Sequence, residues 1–197
     1  MSHPTHILYL HGFRSSPKSL KAVATRDAVL ALAPTVTWLC PALPPSPQLA
    51  MAQIMQSIQD WPKESMAVIG SSLGGFYATW VAERVGCKAV LLNPAIHPDR
   101  DLAAHIGEHH MWHAPEEHFY FEPRFVGELE QQKLPHITRA DRYFAVIAKG
   151  DEVLDWREMT GFYPGAHIKL LPGGDHALSD YVDAHLPEVL YFLFPRK

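Results

Sequence analysis

Short runs of consecutive apolar residues punctuate the chain at His6–Leu10, Val36–Cys40, Met66–Ile69, Lys88–Leu92 and Tyr143–Ala148, with a weaker run at His167–Leu171. None is long enough for a helix, so each predicts a buried strand. Between them, apolar positions return at helical spacing. Leu20, Val23, Ala24 and Val29 predict a helix over 18–32, with Ser16 as its N-cap and Pro17 at its first position. Further helices are predicted over 48–60, from Gly74 to Val85, and from Asp180 to Phe194 at the tail. Strands that are apolar throughout have both faces covered. Alternating with helices, they indicate an α/β fold with a mostly parallel sheet and helices on both faces.

Residues 97–141 interrupt this rhythm. The stretch holds H-H-M-W-H and E-H-F-Y-F-E and reads as having no strand. A long insertion between core strands is either a functional cap or a disordered excursion. The density of aromatic residues weighs against disorder. The reading is therefore one domain over 1–197 carrying a cap at about 97–141.

Composition narrows the class. A chain of 197 residues can bury one real core. A net charge of −4 without a basic run argues against a nucleic-acid partner. No apolar stretch is long enough to cross a bilayer. The start, M-S-H-P-T-H-I-L-Y-L-H-G, has neither the basic region nor the long apolar region of a secretory leader. Cys40 and Cys87, each beside apolar residues, read as reduced buried thiols rather than a disulfide. Together these point to a cytoplasmic protein.

The candidate chemistry lies in V-I-G-S-S-L-G-G, residues 68–75. Gly70-Ser71-Ser72-Leu73-Gly74 fits G-x-S-x-G between a strand and a helix, the setting of a nucleophile elbow. Small residues are needed two before and two after the nucleophile. Centring on Ser72 puts Gly70 and Gly74 there, whereas centring on Ser71 would put Ile69 and Leu73. Ser72 is thus the candidate nucleophile, and Ser71 is not. In this topology an acid and then a histidine should follow, each after a strand. K-G-D-E-V-L-D supplies Asp151, with Asp155 read as a helix N-cap. P-G-G-D-H-A-L supplies His176, with Asp175 read as a surface carboxylate. The backbone N–H groups of Phe13, after the first strand, and Leu73, at a helix N-terminus, are the candidate oxyanion hole. Gly12 is read as the residue that permits a sharp turn there. His11 is read as holding that loop, and Arg14 as a solvated charge.

The blocks I-L-Y-L-H-G-F-R-S-S-P, P-A-L-P-P-S-P, G-S-S-L-G-G-F-Y-A-T-W, L-L-N-P-A, G-D-E-V-L-D and G-G-D-H-A together resemble the YqiA-like esterase family of small bacterial α/β-hydrolases. The resemblance implies a compact α/β-hydrolase fold and hydrolysis of carboxylic esters, with thioesters such as acyl-CoA within range. It also implies no cofactor and a triad of Ser72, Asp151 and His176. It weakens between Asp99 and Asp141.

Competing readings are weaker. His109, His110 and His113, with Glu108, Glu116, Glu117 and His118, resemble a metal site only loosely, because the pattern is not H-E-x-x-H and Pro115 interrupts it. They read as solvated histidines, with no metal expected. P-A-L-P-P-S-P reads as a rigid loop beside the site. Trp112, Phe119, Tyr120 and Phe121 fit equally well an acyl-pocket lining or packing of the cap. A non-catalytic binding protein on a hydrolase scaffold should have lost a triad residue, and none is missing.

Overall fold

In the computed structural model, which describes residues 3–195, the apolar runs form strands in chain order. Met1, Ser2, Arg196 and Lys197, which the reading of one domain over 1–197 includes, lie outside the described residues, as do the first two residues of the segment read for a leader. β1 (His6–Leu10), β2 (Thr37–Leu39), β3 (Met66–Ser71) and β4 (Lys88–Leu92) occupy one half of the sheet. β5 (Gly107–Met111) and β6 (Ala114–Phe121) form a separate antiparallel hairpin. β7 (Tyr143–Ala148) and β8 (His167–Leu171) complete the main sheet, whose order is β2-β1-β3-β4-β7-β8, parallel throughout.

The helices are α1 (Leu20–Leu32), α2 (Pro47–Ser57), α3 (Leu73–Val85), α4 (Pro98–Ala103), α5 (Pro123–Gln131), α6 (Trp156–Phe162) and α7 (Leu186–Leu193). Side-chain alternation along the strands divides the core into two layers. Leu8, Leu10, Val68, Leu91 and Ile147 face α2, α3, α5 and α6. Ile7, Tyr9, Ile69, Val90 and Val146 face α1 and α7. Burying each large aliphatic side chain contributes about 1.5–3 kcal/mol. That is why β3, with no exposed residue, needs no alternation of polar and apolar positions.

Three expectations are corrected. α1 begins at Leu20 under a Ser19 cap, whose hydroxyl accepts the Ala22 N–H at 3.3 Å. Ser16 instead accepts the Lys18 N–H at 3.0 Å, closing a turn before the helix starts. The tail is not one continuous helix. A π-helical turn, Tyr181–His185, precedes α7, because Pro187 has no N–H to continue the ladder back to Asp183. Finally, residues 97–141 do contain strands. In β6, Phe119 and Phe121 turn inward while Tyr120 is exposed, a period-two pattern. Pro115 is accommodated by an irregularity, where the pairing shifts from His110↔His118 to Met111↔Ala114.

Candidate active site

β3 runs into α3 through Ser72, which has φ 56° and ψ −122°. A positive φ on a non-glycine residue costs on the order of 1–3 kcal/mol and persists only where the surroundings impose it. Here they do. A Cβ on Gly70 would lie 2.1 Å from the Gly74 carbonyl oxygen, and one on Gly74 would lie 2.0 Å from that of Leu10. A serine before a helix ordinarily caps its own first turn. Ser72 makes no such bond, and its Oγ stands 3.0 Å from His176 Nε2.

The other two elements arrive from the same end of the sheet. His176 follows β8, and its Nδ1 lies 2.8 Å from Asp151 Oδ2. Asp151 follows β7, with its side chain wholly buried. Its Oδ1 accepts the N–H groups of Val153 and Leu154, both at 2.8 Å. With Nδ1–H donating to Asp151, the neutral imidazole leaves Nε2 as an acceptor facing the Ser72 hydroxyl. Asp155 caps α6 and accepts the Arg157 N–H at 2.8 Å. Asp175 turns away from the imidazole to Ser179, whose N–H and hydroxyl hold its carboxyl below the usual range. Ser71 is buried, and among the described residues its hydroxyl makes no hydrogen bond to His176 or Asp151.

The loop after β1 lies against Ser72. A Cβ on Gly12 would come within 3.1 Å of the Ser72 Cβ, so glycine serves close approach here. The sharp turn read at Gly12 is made with the left-handed residue at Arg14, φ 59°. Among the described residues, neither the Phe13 nor the Leu73 N–H donates a hydrogen bond. His11 is buried. Its Nδ1 lies 3.0 Å from the Gly12 carbonyl oxygen, and its Nε2 accepts the Leu43 N–H at 3.2 Å. It holds its loop by hydrogen bonding, as read from the sequence, and also staples it to the proline-rich one. Burial holds its pKa below 6.5, opposed by the Gly12 bond and reinforced by the charge of His113.

Two clefts meet at Ser72. One, of about 780 Å³, runs along α1 past Tyr9, Ser15, Lys21 and Tyr181. The other, of about 380 Å³, passes Ala95, Pro98, Leu102, His105 and Leu154. Trp112 and Val153 border both. The aromatic cluster therefore splits. Trp112 stands over the clefts, Phe119 and Phe121 pack edge-on against Phe13 at 5.5 and 5.4 Å, and Tyr120 is exposed.

Arg14 is not simply a solvated charge. Its Nε donates to the His110 carbonyl at 2.9 Å, and its guanidinium lies 3.9 Å from the Trp112 ring centre. His109 lies beside Phe13, and His110 lies against His118 with the two rings tilted by 55°. Among the described residues, no group of three or more His, Cys, Asp or Glu could hold a metal ion.

Three contacts around His176 are not legible in the sequence. Glu152 accepts its N–H at 2.9 Å, Asn93 donates to its carbonyl at 3.2 Å, and Lys21 donates to the carbonyl of Ala177. Burial lowers the Lys21 pKa, while Asp175 and Asp151 raise it. A polar residue directly after an apolar strand, as in L-L-N-P-A, is the available signal for Asn93.

The uncharacterised protein family UPF0227 matches residues 6–194. The chain belongs to this family. A UPF0227 protein of Yersinia pseudotuberculosis is 25% identical over 193 residues, covering 94% of this chain and 97% of that one. Among solved structures, mouse alpha/beta hydrolase domain-containing protein 10 superposes with a TM-score of 0.74 at 14% identity, over 96% of this chain and 90% of the other. Est1E from Butyrivibrio proteoclasticus gives 0.72 at 15%, over 97% and 87%. These likenesses establish the α/β-hydrolase fold for this UPF0227 member, in agreement with the YqiA-like resemblance. Among its described residues, no helix is long and apolar enough to cross a membrane.

Proposed function

We propose that this protein is a serine hydrolase that cleaves carboxylic esters, and thioesters by the same chemistry, through Ser72, His176 and Asp151. One observation carries the reading: an unbroken line from a buried carboxylate through an imidazole to a strained serine hydroxyl, at 2.8 and 3.0 Å. The esterase names of structural neighbours, Est1E and an esterase of Pyrococcus furiosus, support it as analogy.

His176 Nε2 takes the Ser72 proton as Oγ attacks the acyl carbon, and the free N–H groups of Phe13 and Leu73 receive the oxyanion. Nε2 then gives that proton to the leaving alcohol or thiol as its bond to the acyl carbon breaks. Water adds to the acyl-enzyme, its proton passes through Nε2 to Ser72, and the acid departs. Asp151 keeps the imidazole in the tautomer that accepts at Nε2. None of these steps calls for a cofactor. The segment carrying α4, the β5–β6 hairpin and α5 acts as a cap, which borders the two clefts at Ser72 through Pro98, Leu102, His105 and Trp112. The unpaired Cys40 and Cys87, both with thiols pushed up to about 12 by burial, support a reducing, cytoplasmic setting.

Intact-mass analysis after exposure to a fluorophosphonate tests the reading. One adduct on wild type and Ser71→Ala, absent from Ser72→Ala, is the expected result. A folded wild type that takes no adduct would overturn it.

A further inference from the structure

Asn93 follows β4 directly, is fully buried and has φ 41°, in the left-handed region. Asparagine adopts that region more readily than most residues because its short amide bonds locally. Here the amide bonds far along the chain instead. Its Nδ2 donates to the Asp175 carbonyl at 3.0 Å and the His176 carbonyl at 3.2 Å. Its Oδ1 accepts the N–H of Ala148 at 2.8 Å. A primary amide has two N–H donors and one oxygen acceptor, and all three positions are used. The orientation is unambiguous, because flipping the amide would set oxygen against two carbonyls and N–H against an N–H.

The partners give the arrangement its meaning. Ala148 ends β7, three residues before Asp151, so Oδ1 anchors the strand end that carries the acid. Nδ2 anchors the main chain of His176 itself. The Asn93 N–H donates to Val146 at 2.9 Å, and two residues later the Ala95 N–H donates to the carbonyl of Ser72 at 3.0 Å. One short turn therefore grips all three segments that bear Ser72, Asp151 and His176. His176 is held at both ends of its own residue, by Glu152 at the N–H and by Asn93 at the carbonyl. Glu152 is exposed and Asn93 is not, so the Asn93 bonds are the ones shielded from water.

We propose that Asn93 is a positioning residue that fixes the register between the Asp151 and His176 loops and thereby sets the direction of the imidazole towards Ser72. The inference rests on the proposed triad. Asn93 borders neither cleft at Ser72, so it acts only through the groups it holds. An error of about 1 Å in a catalytic group can cost roughly a hundredfold in rate. Neither aspartate, which brings acceptors against two carbonyls, nor an aliphatic residue can replace an amide that both donates and accepts.

The test compares wild type, Asn93→Asp and Asn93→Gly, the glycine keeping the left-handed turn without strain. Four quantities are read: kcat and KM on a p-nitrophenyl ester, the rate of fluorophosphonate labelling, and the low-field proton resonance of the His176 Nδ1–H. For folded variants, kcat and labelling should fall roughly a hundredfold with KM within about twofold, and the Nδ1–H resonance should be lost or broadened. Wild-type kcat and an intact resonance, with only a lower Tm, would overturn the proposal and leave Asn93 as fold cement. Failure of both variants to fold would overturn it as well, since the amide would then be needed by the fold itself. If wild type takes no label, the triad reading fails separately. The resonance of the unreacted protein still reports whether Asn93 holds His176 against Asp151.

Discussion

Asp151 and Asp155 lie four residues apart, yet the Asp151 carboxylate accepts from the His176 imidazole while, among the described residues, the Asp155 carboxylate accepts from Arg157 alone. Type and neighbourhood are nearly the same, and the environment assigns the work. Asp151 is sealed from solvent and Asp155 is exposed. Asp151→Asn should cut kcat by about 10⁴, because the imidazole loses its orienting acceptor. Asp155→Ala should cost only about 1 kcal/mol of stability through the lost cap. Ester turnover and a urea melt on both variants would check this, and equal losses of turnover would reassign the acid.

The pH dependence of stability should show His11. Its folded pKa lies below 6.5, mainly through burial. As pH falls through about 6.5, the unfolded chain takes up a proton that the folded chain resists, so stability declines on the acid side and is unaffected above it. Protonation would also break the bond from Leu43 N–H to Nε2. His11→Gln should flatten this part of the curve in thermal melts between pH 7 and pH 5. An unchanged slope would place the sensitive group elsewhere.

Two glycines offer opposite outcomes. Gly74→Ala would drive a Cβ to 2.0 Å from the Leu10 backbone and should prevent folding. Gly127, inside α5 with nothing within 4 Å of an added Cβ, should gain roughly 0.5–1 kcal/mol as alanine. Circular dichroism and chemical denaturation would distinguish them. A well-folded Gly74→Ala would mean that the elbow is looser than its geometry implies.

Arg14 ties the hairpin to the loop beside Ser72 through His110 and Trp112. Arg14→Met removes the charge-assisted bond and the ring contact, a local loss of about 1–2 kcal/mol, equivalent to about 5–30-fold in an opening equilibrium. Hydrogen exchange of the Trp112 amide, which donates to the Arg14 carbonyl at 2.9 Å, should accelerate accordingly. Exchange in β3 and β4 should not change. Equal acceleration across the sheet would mean a global effect.

The sheet was readable because its strands are buried on both faces and carry uninterrupted apolar runs. β1, β4, β7 and β8 fall within the limits the pattern gave. Ser72 and the two positions after β7 and β8 were readable for a related reason: tight turns restrict residue type, and parallel strands deliver their ends to one edge. The hairpin was missed because Pro115 and the polar run Glu116–His118 mask its alternation, and only Phe119–Phe121 carries the period. Asn93, Glu152 and Lys21 were missed for another reason. Their partners are 83, 24 and 156 residues away in sequence, and no local pattern encodes contacts at that range.

β4 and β7 are direct neighbours, with Ala89 paired to Tyr143 and Leu92 to Val146. The chain between them therefore leaves the sheet and returns to it at adjacent points. Its length places no geometric demand on the strands. In engineering terms the segment from α4 to α5 is a socketed module. Its side chains are another matter: Phe119 and Phe121 pack on Phe13, and α5 buries Phe125 and Leu129 in the core, so a replacement segment of any length must refill those contacts to leave the Ser72 edge in place.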